Sequence, residues 1–153
     1  MAPKGDNSKK ALVAALNGAL ADHMALYIKT KSFHWHVAGP RFRDLHLLFD
    51  EQAQQIIGVT DAIAERVRKN DADTLTSLGA VAKTTQVKDE DSTTLEADAM
   101  VKQLMKDNQK LVDRLKEVKE ASEEAGDNAT SGVVDEWTDF AEERVWFLRQ
   151  SLR

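Results

Sequence analysis

The stretch KSFHWHVAGPRFRDLHLLFD, residues 31–50, decides how the chain folds. Its first half continues a helical pattern that opens near Ser8, a suitable N-cap, with Leu12, Leu16, Leu20, Met24, Tyr27, Ile28 and Trp35 on or near one face. Gly39-Pro40 stops that helix, because proline disfavours helix in the residue before it and has no N–H for the ladder. A second helix starts almost at once, with Phe42, Leu45, Phe49, Ile56, Ile63 and Val67 at spacings of three, four and seven. So short a turn makes the two helices antiparallel neighbours.

Beyond this hairpin, residues 70–92 break the pattern with Asp-Ala-Asp, Gly79 and a Lys-Asp-Glu-Asp run. A connection of that length in a compact domain is either a crossover or functional. A short helix is expected inside it, over Leu75 to Ala82. The third long helix is expected from Ser92 or Thr93, carrying Leu95, Val101, Leu104, Leu111, Leu115 and Val118, and Gly126-Asp127-Asn128 ends it. The fourth runs from about Thr130 to Leu152 with Val133, Trp137, Phe140, Val145 and Leu148. This order is the topology of an all-α, ferritin-like four-helix bundle with a long crossover between helices 2 and 3. A helical bundle of another connectivity stays open at this level.

Composition bounds the function. The chain has 153 residues, enough for one domain with a real core, read as a flexible tail over residues 1–10 and a bundle over 11–153. It has no cysteine, which excludes disulfides, thiolate metal sites and Cys nucleophiles. With no secretory pattern at the N-terminus the expected compartment is the cytoplasm, with the nucleoid as an associated site. No run is expected to reach the roughly 20 apolar residues of a membrane span. A net charge of -5 argues against a surface built throughout to grip nucleic acid.

One stripe of the second helix carries chemistry. His46 and Asp50 are four residues apart, as are Asp61 and Glu65, so each pair meets on one face. At ~100° per residue the four positions fall within a stripe about 100° wide, beside the face expected to be buried. Burying one imidazole and three carboxylates without partners costs several kcal/mol each, so a cation, paired charges or a wet interface must account for them. Asp50 and Asp61 are roughly 16 Å apart along a helix rising ~1.5 Å per residue, far beyond ligand bonds of about 2 Å. One copy of the helix therefore cannot put both pairs on one ion, whereas two copies packed antiparallel about a two-fold axis can. Crossing near Gln55 and Ile56, with Gly58 permitting close approach, sets His46 and Asp50 of one copy against Asp61 and Glu65 of the other. His34 comes level with His46 through the hairpin. Imidazole with carboxylate suits Fe(II), Zn(II) or Mn(II). No Glu-x-x-His occurs, so the ordinary di-iron site inside one bundle is not available. The bland reading of each residue is a solvated polar face, and for His34 a satisfied core histidine.

Lys31-Ser-Phe-His34-Trp35-His36-Val-Ala-Gly39, Phe42, Leu45-His46, Phe49-Asp50 and Asp61-Ala-Ile-Ala-Glu65-Arg66 resemble the Dps family of mini-ferritins across most of the chain. That resemblance implies a hollow dodecamer, a ferroxidase site at each dimer interface built from His34, His46, Asp50, Asp61 and Glu65, and hydrogen peroxide as the preferred oxidant of Fe(II). It implies ferric mineral storage, and with it protection of DNA. Trp35 is a packing residue that could also supply an electron. Lys31 is a surface lysine or a support for the site. His36 stands where the family usually has Asn and, about 200° from His34, points away from the site. His23, on the same face roughly 16 Å up the helix, suits a buried or interface role.

Two further expectations concern charge. Lys4, Lys9 and Lys10 near the N-terminus could bind DNA, since many copies on a shell multiply weak phosphate contacts, and a nucleoid-compacting protein is the alternative function. A helical interaction bundle without metal activity is a second rival. Asp127, Asp135 and Asp139 are candidate pore carboxylates that would guide Fe(II), or simply an acidic helix start.

Overall fold

Apolar residues recurring every three or four positions draw the helices around one core. The computed structural model describes residues 4–153, with side chains from Asp6 onward. Helix α1 spans Lys4–His36, α2 Phe42–Gly58, α3 Thr60–Lys69, α4 Leu78–Thr84, α5 Ala97–Glu124 and α6 Asn128–Gln150. Both α2 and α3 pack along α1, α5 pairs with α6, and α1 also packs on α5, so the bundle has four rods with α4 in the crossover.

Several boundaries differ from the sequence reading. Helix α1 starts at Lys4, so Lys9 and Lys10 belong to the helix and not to a tail over residues 1–10; the side chain of Lys4 and residues 1–3 lie outside the described part. The second rod is broken at Val59, where the N–H reaches back only to Ile56 at 3.5 Å. Gly58 supplies no side chain to hold the turn, and the Thr60 hydroxyl competes by donating to the Ile57 carbonyl at 2.7 Å. Residues 92–96 stay outside the third long helix, which opens at Ala97 after Glu96 in an extended conformation. Helix α4 starts three residues later than expected because the Ser77 hydroxyl caps it, accepting from the Ala80 N–H, and it ends two residues later. Contrary to expectation, α1 is long and apolar enough, by length and composition alone, to cross a membrane; half of that apolar window is buried in the bundle.

The two hairpins turn on glycines. Gly39 has φ +108 and its carbonyl accepts from Phe42 N–H at 3.0 Å, a conformation costly for any residue with a Cβ. Gly126, φ +72, ends α5 as the Asp127 N–H reaches the Ser122 carbonyl at 2.9 Å. The core between the rods contains Leu12, Leu16, Leu26, Phe33, Phe49, Ile56, Ile63, Leu104, Leu111, Leu115 and Leu148, all essentially inaccessible. Ile28 and Trp35, which the sequence places near the core stripe of α1, are instead 59% and 63% exposed in the single chain.

A polar layer crosses this core. His23 is fully buried, and its Nδ1 donates to the Ala19 carbonyl at 2.7 Å. Burial lowers its pKa from 6.5 to about 4, so the ring is neutral in the fold. The unfolded chain binds that proton more readily, so the stability contribution is complete above pH 6.5 and is lost as pH falls toward 4. The shift corresponds to about 3 kcal/mol. Denaturant unfolding at pH 7 and pH 4, at one protein concentration, should show wild type losing that much more than His23→Gln. Equal losses in the two proteins would show that His23 protonates freely in the fold.

Candidate metal centre

Because α1 and α2 run antiparallel from the Gly39 turn, His34 and His46 come side by side. Their rings stack with centroids 3.8 Å apart and planes 15° apart. Each Nδ1 meets the other residue's backbone carbonyl, His34 Nδ1 on His46 O at 2.6 Å and His46 Nδ1 on His34 O at 2.7 Å. A carbonyl only accepts, so both Nδ1 atoms carry the proton, and both Nε2 lone pairs are left for a ligand. Orientation of this kind is what holds metal-binding histidines. Phe42 covers the His46 ring at a centroid distance of 5.0 Å.

Asp50 lies one turn beyond His46. Lys31 Nζ donates to its Oδ1 at 2.8 Å, and this bond, ahead of any other cause, lowers the Asp50 pKa and keeps it a carboxylate. His34, His46 and Asp50 are all partly exposed.

Asp61 and Glu65 sit on α3, the far side of the Val59 break, and both are exposed. The Glu65 pKa is raised, first by a hydrogen bond with Asp61 and then by its negative charge. Two carboxylates one turn apart thus compete for a proton, a repulsion a cation would relieve. Among the described residues no group of three or more His, Cys, Asp or Glu side chains in the single chain could hold a metal ion. The structure stacks His34 on His46, places Asp50 one turn further along α2 and leaves Asp61 and Glu65 on α3.

Trp35 packs little within the chain, and His36, also exposed, turns its Nδ1 to the Ser32 carbonyl at 2.7 Å. Asp127 is not a free pore carboxylate. It accepts from Arg66 Nη2 with both oxygens at 3.0 Å, from Asn70 at 2.9 Å and from the Thr130 N–H at 3.1 Å, capping α6. Asp135 pairs with Lys119 at 3.1 Å, and Asp139 is exposed. The bundle interior, where a single-chain di-iron site would sit, holds a buried guanidinium. Arg144 Nε donates to Asn108 Oδ1 and Nη1 to Gln55 Oε1, both at 2.7 Å. A cation placed there would meet a positive charge. The sequence does give a signal for this residue, since Arg144 occupies the core register of α6 between Trp137, Ala141 and Leu148.

Comparison with known proteins agrees with this architecture. The ferritin-like domain family matches residues 13–153. The DNA protection during starvation protein of Brevibacillus brevis is 34% identical over 142 residues, 92% of this chain and 95% of that protein. Dps from Thermosynechococcus elongatus superposes with a TM-score of 0.95 at 25% identity, over 99% of this chain and 96% of that one. Dps from Vibrio cholerae O1, a member of a broad superfamily of ferritin-like diiron-carboxylate proteins, superposes at 0.89 with 26% identity, over 96% and 92%. With this fold, this match over almost its whole length and these relatives, the chain belongs to the Dps family of the ferritin-like superfamily.

Proposed function

We propose that this protein oxidises Fe(II) with hydrogen peroxide at sites shared between two subunits, and stores the ferric product in a hollow shell, a dodecamer in our reading. The observation that carries it is the locked pair His34 and His46, whose Nε2 atoms are left free, with the Asp50 carboxylate one turn further along α2. These three supply half a hard, nitrogen-and-oxygen ligand set suited to Fe(II). Asp61 and Glu65, roughly 16 Å further along the rod, supply the other half to the antiparallel partner. Two Fe(II) ions each give one electron, the peroxide O–O bond accepts both, and two hydroxides result. The protein positions substrate iron and needs no general base. Trp35, adjacent to His34 and exposed in the single chain, is where the partner would pack and where an indole could give an electron.

Protection of DNA, which the Brevibacillus relative's name states, would follow from removing iron and peroxide. Direct contact is a second reading, favoured by the exposure of Lys9 and Lys10 on the first turns of α1. Gel shift of plasmid DNA at low and high salt separates it from protection by iron removal alone. The iron reading is tested by anomalous scattering at the iron edge from crystals soaked in Fe(II). Ions should appear between subunits, held by His34, His46 and Asp50 of one and Asp61 and Glu65 of the other. Iron held by a single chain through Asp50 and Glu65 together would overturn it.

A further inference from the structure

Phe42 opens α2, and its spacing to Leu45 and Phe49 counts it with the residues that turn toward the core. The structure leaves it out: Phe42 is 44% exposed, and the core between the rods closes without it. What fixes the residue is the hairpin, since its N–H donates to the Gly39 carbonyl at 3.0 Å. Its ring lies against His46, four residues on and so on the same helix face, with centroids 5.0 Å apart and planes 31° apart. Rings this close and this nearly parallel form an offset stack, not an edge contact.

His34 already covers one face of the His46 ring, with centroids 3.8 Å apart and planes 15° apart, so Phe42 takes the other. The three rings make one stack, Phe42 on His46 on His34. The stack matters because an imidazole turns easily about χ2, a torsion with broad wells. His34 blocks tipping to one side only. Without Phe42 the His46 ring could tip the other way, toward solvent, and its Nδ1–H would exchange the His34 carbonyl, at 2.7 Å, for water. His34 would then lose the ring its own imidazole rests on. One exposed phenyl group thus restrains both histidines whose Nε2 atoms are left for a ligand. Metal binding also draws electrons out of an imidazole, and the negative face of a phenyl ring stabilises a neighbour so polarised.

We propose that Phe42 is a positioning residue for the candidate metal centre, holding the His46 ring against His34 so that both Nε2 atoms keep the direction a metal ion needs. The use of that restraint rests on the iron reading above, whereas the stack itself is a property of the chain. If Phe42 merely filled space at the hairpin, any side chain of similar bulk would serve. Leucine has the bulk without an aromatic face and tyrosine has both, so these two substitutions separate the alternatives.

The test takes two measurements on the assembled full-length protein. Magic-angle-spinning NMR of sedimented, iron-free protein carrying isotope-labelled histidine reports the His46 ring directly, its signal being the one lost in His46→Gln. Wild type and Phe42→Tyr should show one His46 state, protonated at Nδ1, and Phe42→Ala should add a second state with at least about a tenth of the signal. Anaerobic titration with Co(II), followed by its visible absorption, gives the affinity. It should fall about tenfold in Phe42→Ala and about threefold in Phe42→Leu, and stay within about twofold of wild type in Phe42→Tyr. Wild-type Co(II) affinity in Phe42→Ala, a single unchanged His46 state there, or a loss in Phe42→Tyr as large as in Phe42→Ala would overturn the proposal. Wild-type protein that binds no Co(II) would instead overturn the iron reading, and the His46 signal would still decide whether Phe42 holds the ring. Should Phe42→Ala not assemble, Phe42→Leu and Phe42→Tyr decide it through the same two measurements.

Discussion

Co-assembling two inactive variants should restore iron oxidation. His46→Ala with Asp50→Ala removes one half of the proposed ligand set, and Asp61→Ala with Glu65→Ala removes the other. Each double variant alone should slow peroxide-dependent ferric absorbance at least tenfold while the shell still assembles, since these side chains are partly or fully exposed and contribute little to the core. In a mixed dimer the two-fold axis gathers all four lesions into one site and leaves the second site intact. Random pairing of equal amounts makes half the dimers mixed, so about a quarter of wild-type sites should return. A site built within one chain gives no such recovery, because every chain carries a lesion. Recovery absent from co-expressed, mass-verified mixed shells would exclude the shared site. A shell made of either variant alone that oxidises iron at the wild-type rate would exclude these residues altogether.

The proposed shared site rests largely on spacing, because helical geometry converts residue number into distance. Asp50 and Asp61 are too far apart on any helix to share an ion, and the break at Val59 leaves that argument unchanged. What spacing could not supply was the mutual locking of His34 and His46, which depends on the register of two rods set by the Gly39 turn. Lys31 was ambiguous for the same reason, since its partner Asp50 lies across the hairpin. Periodicity also misassigned Ile28 and Trp35. Helix α1 has more apolar residues than one stripe holds, and hydropathy does not say which of two apolar faces meets the core. The core took the stripe through Leu26 and Phe33, leaving the other to solvent in the single chain. Asp127 looked like an acidic helix start open to ions, and only tertiary structure brings Arg66 and Asn70 to it from 57 to 61 residues away.

The crossover shows the same dependence on distant partners, and it sets the largest stability effect expected of a single substitution. Residues 70–96 contain only the seven-residue α4, too short to be stable alone, so bonds to the bundle must hold the segment. Asp22, 3% exposed on α1, is the main anchor. Its Oδ1 accepts from the Thr85 hydroxyl at 2.8 Å and the Gln86 N–H at 2.7 Å, and its Oδ2 accepts from Arg114 Nε at 2.9 Å. Arg114 lies directly over Gly18, where a Cβ would come within 2.8 Å of the guanidinium carbon, so α1 is shaped to admit it. Asp22→Ala leaves the largely buried Arg114 with only the exposed Glu117, 3.8 Å away, and the Gln86 N–H without an acceptor, a loss of roughly 3 kcal/mol. For a chain of this size the melting temperature should fall by about 10 °C. Hydrogen exchange should localise the damage, with amides of residues 85–91 losing protection well before those of α5 and α6. Replacing Asp73, whose ion pair with Arg68 is fully exposed, should change the melting temperature little. If Asp22→Ala melts within a degree or two of wild type, the crossover is held by α4 and its apolar contacts instead.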